Sequence, residues 1–158
     1  MVDFLAICKE RTVAALDGFL HDLSFVPADK LTWSPAATAK SAMDIAAHCA
    51  GYSGAFATII AAGRFPYSLE EFRAMVQAAI ESAATLDRAE TMLRKGIADT
   101  IAALGMVKPE QIDAMVDAPH GRTPFKFFLT LPAMHLETHA AQLDYLQTCW
   151  GDQQVHVR

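Results

Sequence analysis

The chain has 158 residues, of which 53% are hydrophobic and 20% charged, with a net charge of −5 and a pI near 5.6. That length suits one domain spanning 1–158 around a single sizeable core, and the composition favours a compact, well-packed body over disorder. The 13 basic residues are scattered and form no stripe, which argues against nucleic acid as a partner.

The segment from Asp3 to Leu23 repeats apolar residues at helical spacing: Leu5, Cys8, Ala15 and Phe19 line one stripe, with Leu16, Leu20 and Leu23 alongside. SFVPADKLTWSPAATAK follows, with two prolines and no sustained period, and reads as a loop. Ser41 and Asp44 then form a capping-box pattern that opens a second helix running to about Ala62, ended by Gly63 and Pro66. Its small residues, among them Ala46, Ala50, Gly51 and Gly54, allow a neighbouring helix to approach closely. From Ile45 to Gly63 it carries no formal charge and reaches transmembrane length. Its Ala, Gly, Ser and Thr content gives a weak transfer energy, so a buried helix of a soluble bundle is expected instead of a membrane span.

Ser68 and Glu71 make a second capping box, starting a shorter helix over EEFRAMVQAAIES. Thr85 caps the third main helix, which is expected to stop at Gly105. KPEQIDAMVDAPHGR reads as a helical turn and a loop. Thr123 is the expected cap, and Pro124 the first residue, of a last long helix reaching about Cys149, with a kink at Pro132. No strand pattern stands out. The architecture predicted is all-α: a four-helix bundle with an additional short helix between the second and third main helices.

Cys8, Cys49 and Cys149 are odd in number, widely spaced and without C-x-x-C, as reduced thiols of a cytoplasmic protein would be. The chemistry-bearing residues lie elsewhere. In MHLETHAAQLDY, His135 and His139 are four residues apart, so a helix turns them through about 400° onto one face. His48 lies in the early half of the second helix, with Asp44 and Tyr52 one turn either way. Each feature alone also suits ordinary core histidines. Three imidazoles on facing helices, however, match a metal site with an open coordination position.

Among their neighbours, Asp44 reads first as a helix cap and second as an acid–base residue. Gln142, one turn beyond His139, either orients a ligand or satisfies a backbone group. Tyr52 offers a phenol or simply packs. Cys49 points about 100° away from His48 and reads as a buried inert thiol. His21, His120 and His156 are expected to be exposed, and Trp33 and Trp150 to cover the ends of the bundle. GYSGA falls inside a helix and is no nucleophile elbow, and no phosphate loop or dinucleotide fingerprint is present.

LTWSPAATAKSAMDIAAHCAG, from Leu31 to Gly51, resembles the W-x-P … S-x-x-E/D-x-x-x-H element of the DinB/YfiT-like family of bacterial metal-binding four-helix bundles. MHLETHAAQLDYLQTCWGD, from Met134 to Asp152, resembles its H-x-x-x-H-x-x-Q-L element. Thr138 stands where the family commonly has a further histidine, a position that is not a ligand. The resemblance implies a divalent metal, zinc or nickel, on His48, His135 and His139. It further implies activation of water or of a low-molecular-weight thiol such as bacillithiol or mycothiol, and a homodimer. A binding module without catalysis is the alternative.

Overall fold

The structure is a computed structural model that describes residues 3–156; the two residues at either end of the chain lie outside it. Helix α1 spans Phe4–Ser24, α2 Ala42–Ala62, α3 Leu69–Ser82, α4 Leu86–Met106 and α5 Phe125–Cys149. A 3₁₀ turn, Pro109–Gln111, and a hairpin of β1, Met115–Ala118, with β2, Gly121–Pro124, connect α4 to α5. Helices α1, α2, α4 and α5 form the bundle, and the shorter α3 packs on α2.

The helix starts are set by their caps. Asp3 accepts hydrogen bonds from the amides of Leu5 and Ala6. Both capping boxes form: Ser41 with Asp44 at α2, and Ser68 with Glu71 at α3. Gly63 ends α2 with φ +62°, a conformation that costs glycine little and other residues more. The stripe expected on α1 buries Cys8, Ala15, Phe19 and Leu23, together with Thr12, whose hydroxyl donates to the Cys8 carbonyl.

α2 is the most enclosed element, lying against α3, α4 and α5. By length and composition it meets the threshold for a membrane span, yet it is mostly buried inside the bundle. Its small residues set the spacing to its neighbours. Gly51 faces Ile80 of α3, and Gly96 of α4 lies directly over Ser53. The Ser53 hydroxyl turns back to the Ala50 carbonyl, and Thr100 likewise bonds the Gly96 carbonyl, so this polar pair is satisfied within the core. On the other side, Arg11 of α1 makes a two-point ion pair with Glu137 of α5.

Several expectations need correction, among them Pro124, which precedes α5 as its N-cap residue and is not its first residue, and His21, which is half-buried and not exposed. MVDAPHGRTP is a hairpin and not a loop: Ala118 pairs with Gly121 across Pro119–His120, and Gly121 takes φ +109°. Thr123 is part of β2 and caps nothing, its hydroxyl donating to the Gly121 carbonyl. Helix α5 starts at Phe125 without a side-chain cap because the hairpin region supplies acceptors. The amides of Phe125 and Lys126 donate to the carbonyls of Ala114 and Ile112. Gly105 does not stop α4, which continues to Met106. His156 is nearly buried, stacked on Phe25 with ring centroids 4.0 Å apart and bonded to Asp152.

His120 is exposed as expected, and His21 is half-buried with its ring edge-on to Phe25. Helix α5 runs unbroken through Pro132, whose missing N–H leaves one helical hydrogen bond unmade. Trp33 and Trp150 meet edge to face, centroids 6.0 Å apart, and close one end of the bundle together.

The α2–α4 contact yields a paired prediction. A Cβ at Gly96 would fall 2.5 Å from the Ser53 Cβ and 2.8 Å from its carbonyl carbon, whereas a Cβ at Gly54 meets open space. Gly96→Ala should therefore destabilise the protein by about 1–3 kcal/mol as the helices are forced apart. Gly54→Ala should stabilise it by up to about 1 kcal/mol through helix propensity alone. Urea unfolding of both variants checks the sign of each change.

Candidate metal centre

His48 comes from the first half of α2, and His135 and His139 from the middle of α5. The capping box fixes where α2 begins, and hence which face His48 presents. Their ring centroids lie 5.1 Å apart for His48–His135, 4.7 Å for His48–His139 and 4.6 Å for His135–His139. One nitrogen from each ring lies within 4.8 Å of the others, so the three can hold one metal ion.

The nitrogens that converge can be assigned. His139 Nδ1 donates to Gln142 Oε1 at 2.7 Å, since a carboxamide oxygen only accepts. That bond leaves the His139 Nε2 lone pair free. His48 Nε2 and His135 Nε2 face each other at 3.2 Å. Two nitrogens each about 2.0–2.1 Å from one ion at a tetrahedral angle are separated by about 3.3–3.4 Å, so this pair is already at ligand spacing. The His135 Nδ1 atom is buried without a hydrogen-bond partner. With Nε2 turned to the other rings, Nδ1 carries the proton in the ligating tautomer, and a cation shared by the converging lone pairs is the group that such a donor set accommodates.

Electrostatics keep the rings unprotonated. Burial, then the neighbouring His139 and His48, pushes His135 down to about 3 from an ordinary 6.5. Burial, then His139 and Lys40, takes His48 to about 4. His139 is also lowered, chiefly by burial and partly offset by its bond to Gln142. Neutral imidazole is the form that binds a metal, so the pocket holds the donors in their ligating state.

Of the residues flanking the triad, two join it. Gln142 fixes the His139 tautomer. The Tyr52 ring packs on both His48 and His135, with centroids 4.6 and 5.0 Å away. Asp44 is committed to the helix start: its Oδ2 accepts from the Ser41 amide at 2.9 Å and from the Ser41 hydroxyl at 2.7 Å. Those bonds hold its carboxyl below the usual range, and none joins it to the histidines. Cys49 is buried away from the triad, and burial raises its thiol far above the ordinary value.

Two features went unseen in the sequence. An aromatic cavity of about 460 Å³ lies between α2, α3, the hairpin and α5, walled by Tyr52, Phe56, Phe65, Phe72, Phe127 and Phe128. Phe56 stands edge-on to His135 at 5.3 Å. On the opposite side of Tyr52 an open groove of about 550 Å³ includes His48 itself, with Lys40, Arg73 and Gln77. Only the helical spacing of Tyr52 and Phe56 with His48 hinted at the first; Lys40 and Arg73 carry no motif at all.

No protein-family model matches the sequence, and no curated protein does. Solved structures do. A DinB-like protein, YjoA, from Bacillus subtilis is 17% identical over 94% of each chain, with a TM-score of 0.60. The mycothiol-dependent maleylpyruvate isomerase is 17% identical with a TM-score of 0.64, covering 90% of this chain and 63% of that one. A mutant of that isomerase superposes with a TM-score of 0.65 at 16% identity. The likeness to YjoA spans almost the full length of both chains, and the fold of this protein is the DinB-like helical fold.

Proposed function

We propose that His48, His135 and His139 hold one divalent metal ion, zinc or nickel, and that the protein is a metal-dependent enzyme of the thiol transferase or hydrolase type. The observation that carries this reading is the convergence of three neutral imidazoles from two helices, two of them with nitrogens already at ligand spacing. When bound at an open-sided three-nitrogen site, such an ion acidifies a coordinated water or thiol toward neutral pH. Gln142 holds His139 in the Nδ1–H tautomer, Tyr52 and Phe56 exclude water from one side of His135, and the His48 groove admits the reactant. The mycothiol dependence of the isomerase that shares the fold supports a low-molecular-weight thiol as the small-molecule partner. The free thiols of Cys8, Cys49 and Cys149 suit a bacterial cytoplasm. Exposed Met134 and Tyr145 on α5 suit a homodimer.

One observation favours a second reading, a metal-binding module without catalysis, linked to stress. Asp44 is the acid nearest in sequence to His48, and its oxygens serve Ser41, so no general base is evident at the triad. Screening the zinc- or nickel-loaded protein against electrophiles with several cellular thiols separates the two. Turnover that disappears in His139→Ala establishes the enzyme; no turnover with any thiol or water establishes the module.

Competition with a chromogenic chelator should show that His48→Ala, His135→Ala and His139→Ala each lose metal affinity severely. Gln142→Leu should lose about 10–100-fold, the cost typical of a removed ligand-orienting partner. His21→Ala, His120→Ala and His156→Ala should bind as the unsubstituted protein does. Wild-type affinity in His48→Ala would contradict a site that bridges two helices.

Acid acts on the metal-free protein through the same rings. His48 and His135 have folded values of about 4 and about 3, below 6.5, so the unfolded chain binds more protons throughout that window. Their contribution to stability is complete above about pH 6.5 and is lost as pH falls toward 4 and then 3. Urea midpoints should drop between pH 7 and 4.5, and the drop should be shallower in His135→Leu. An equal slope in that variant would place the acid sensitivity elsewhere.

A further inference from the structure

We infer that Lys40 and Arg73 form an anion-reading rim beside the triad, so that the molecule reacting there bears a carboxylate; this rests on the metal-centre reading above. The groove in question is open and about 550 Å³ in volume. It includes His48, whereas the larger-walled aromatic cavity across Tyr52 contains none of the three histidines. The groove therefore opens onto the triad at His48, and Lys40 also lines the neighbouring pocket that holds Gln142, so its charge stands between both openings.

Its two charged residues are both cations. Neither Lys40 nor Arg73 makes an ion pair among the described residues, although other surface cations such as Arg11, Lys95 and Lys126 do. Asp44, one turn from Lys40 along the chain, accepts its hydrogen bonds from the Ser41 amide and hydroxyl and meets Lys40 only as a through-space charge. Gln77, also in the groove, is turned to Glu81. The positive charge of Lys40 reaches the triad, where it acts on both His48 and His139. What marks these two is their place: both line the one groove that opens onto His48, where an approaching anion meets two positive charges and no carboxylate among the lining residues. Arg73 supplies a planar fork suited to a carboxylate, and Lys40 a point charge. Tyr52, the wall shared with the aromatic cavity, leaves apolar space next to the anion for the rest of a substrate or for a second one.

The test uses three thiols of similar size and different charge: 3-mercaptopropionate, 2-mercaptoethanol and cysteamine. Binding to the cobalt(II)-loaded protein is read from the sulfur-to-cobalt charge-transfer absorption. The anionic thiol should bind roughly tenfold tighter than the neutral one, and cysteamine more weakly than either. In the double variant Lys40→Met, Arg73→Met the ratio of anionic to neutral affinity should fall to about one, while Lys108→Met, away from the groove, keeps it. Propionate binding in the presence of saturating 2-mercaptoethanol, and weakened by the double substitution, would place the carboxylate on the partner of the thiol. An anion preference that survives the double substitution, or the absence of both effects, overturns the rim. If the protein takes up no cobalt, the metal-centre reading has failed and the rim is judged alone. 3-Mercaptopropionate must then shift the backbone amide NMR signals of Lys40, Arg73 and Gln77 in the metal-free protein more than 2-mercaptoethanol does. It must lose that effect in high salt. Equal shifts from the two thiols overturn it.

Discussion

Three imidazoles, His139 buried and His48 and His135 partly so, meet along the seam between α2 and α5, and among the described residues no acid bonds to them to share a proton. Burial makes the charged form of each ring unfavourable, and each ring would repel charge on the next. The rings are therefore neutral, and where their lone pairs converge a proton or a cation must lie between them. His48 Nε2 and His135 Nε2, 3.2 Å apart, can share one proton between them, while His139 Nε2, its ring held by Gln142, keeps a free lone pair and His135 Nδ1 is buried without a partner. A folded chain rarely keeps such a cluster without an ion or a reaction to justify it.

The remainder of the fold serves that seam. The Ser41–Asp44 box fixes the start of α2, and Gly51 and Gly96 let α3 and α4 close on it, so that His48 is held on a rigid element. The carbonyls of Ile112 and Ala114, just before the hairpin, bond the first amides of α5 and set where that helix begins, which in turn aims His135 and His139. Tyr52 and Phe56, following His48 at one-turn intervals, seal one side of the triad and wall the aromatic cavity. The opposite side opens to a cationic groove. An ion bound between α2 and α5 would also link two helices and stabilise the folded state by mass action.

Much of this was legible in the sequence, for definite reasons. Capping boxes and apolar periodicity are local signals, and both boxes and all five helices appear where they were expected. The triad was legible because His135 and His139 share a helix face at any i, i+4 spacing, and because the motif around His48 resembled a known element. The hairpin was not, since four-residue strands with one buried side chain, Val116, give too short an alternation to register. Thr123 misled because it has the composition of a cap, while backbone acceptors from Ile112 and Ala114 made a cap unnecessary. His156 was misplaced because its burial depends on Phe25, far away in sequence. Lys40 and Arg73 met for the same kind of reason: their groove exists only once α3 lies against α2.

One ion bridging α2 and α5 is what ties the triad, its flanking residues and the groove into one site, and X-ray absorption at the metal edge of the zinc- or nickel-loaded protein reads that bridge. One ion per chain, with a first shell containing three imidazoles at about 2.0–2.1 Å, is the predicted result. An ion bound by two imidazoles or fewer, or by oxygen alone, would contradict the three-histidine centre.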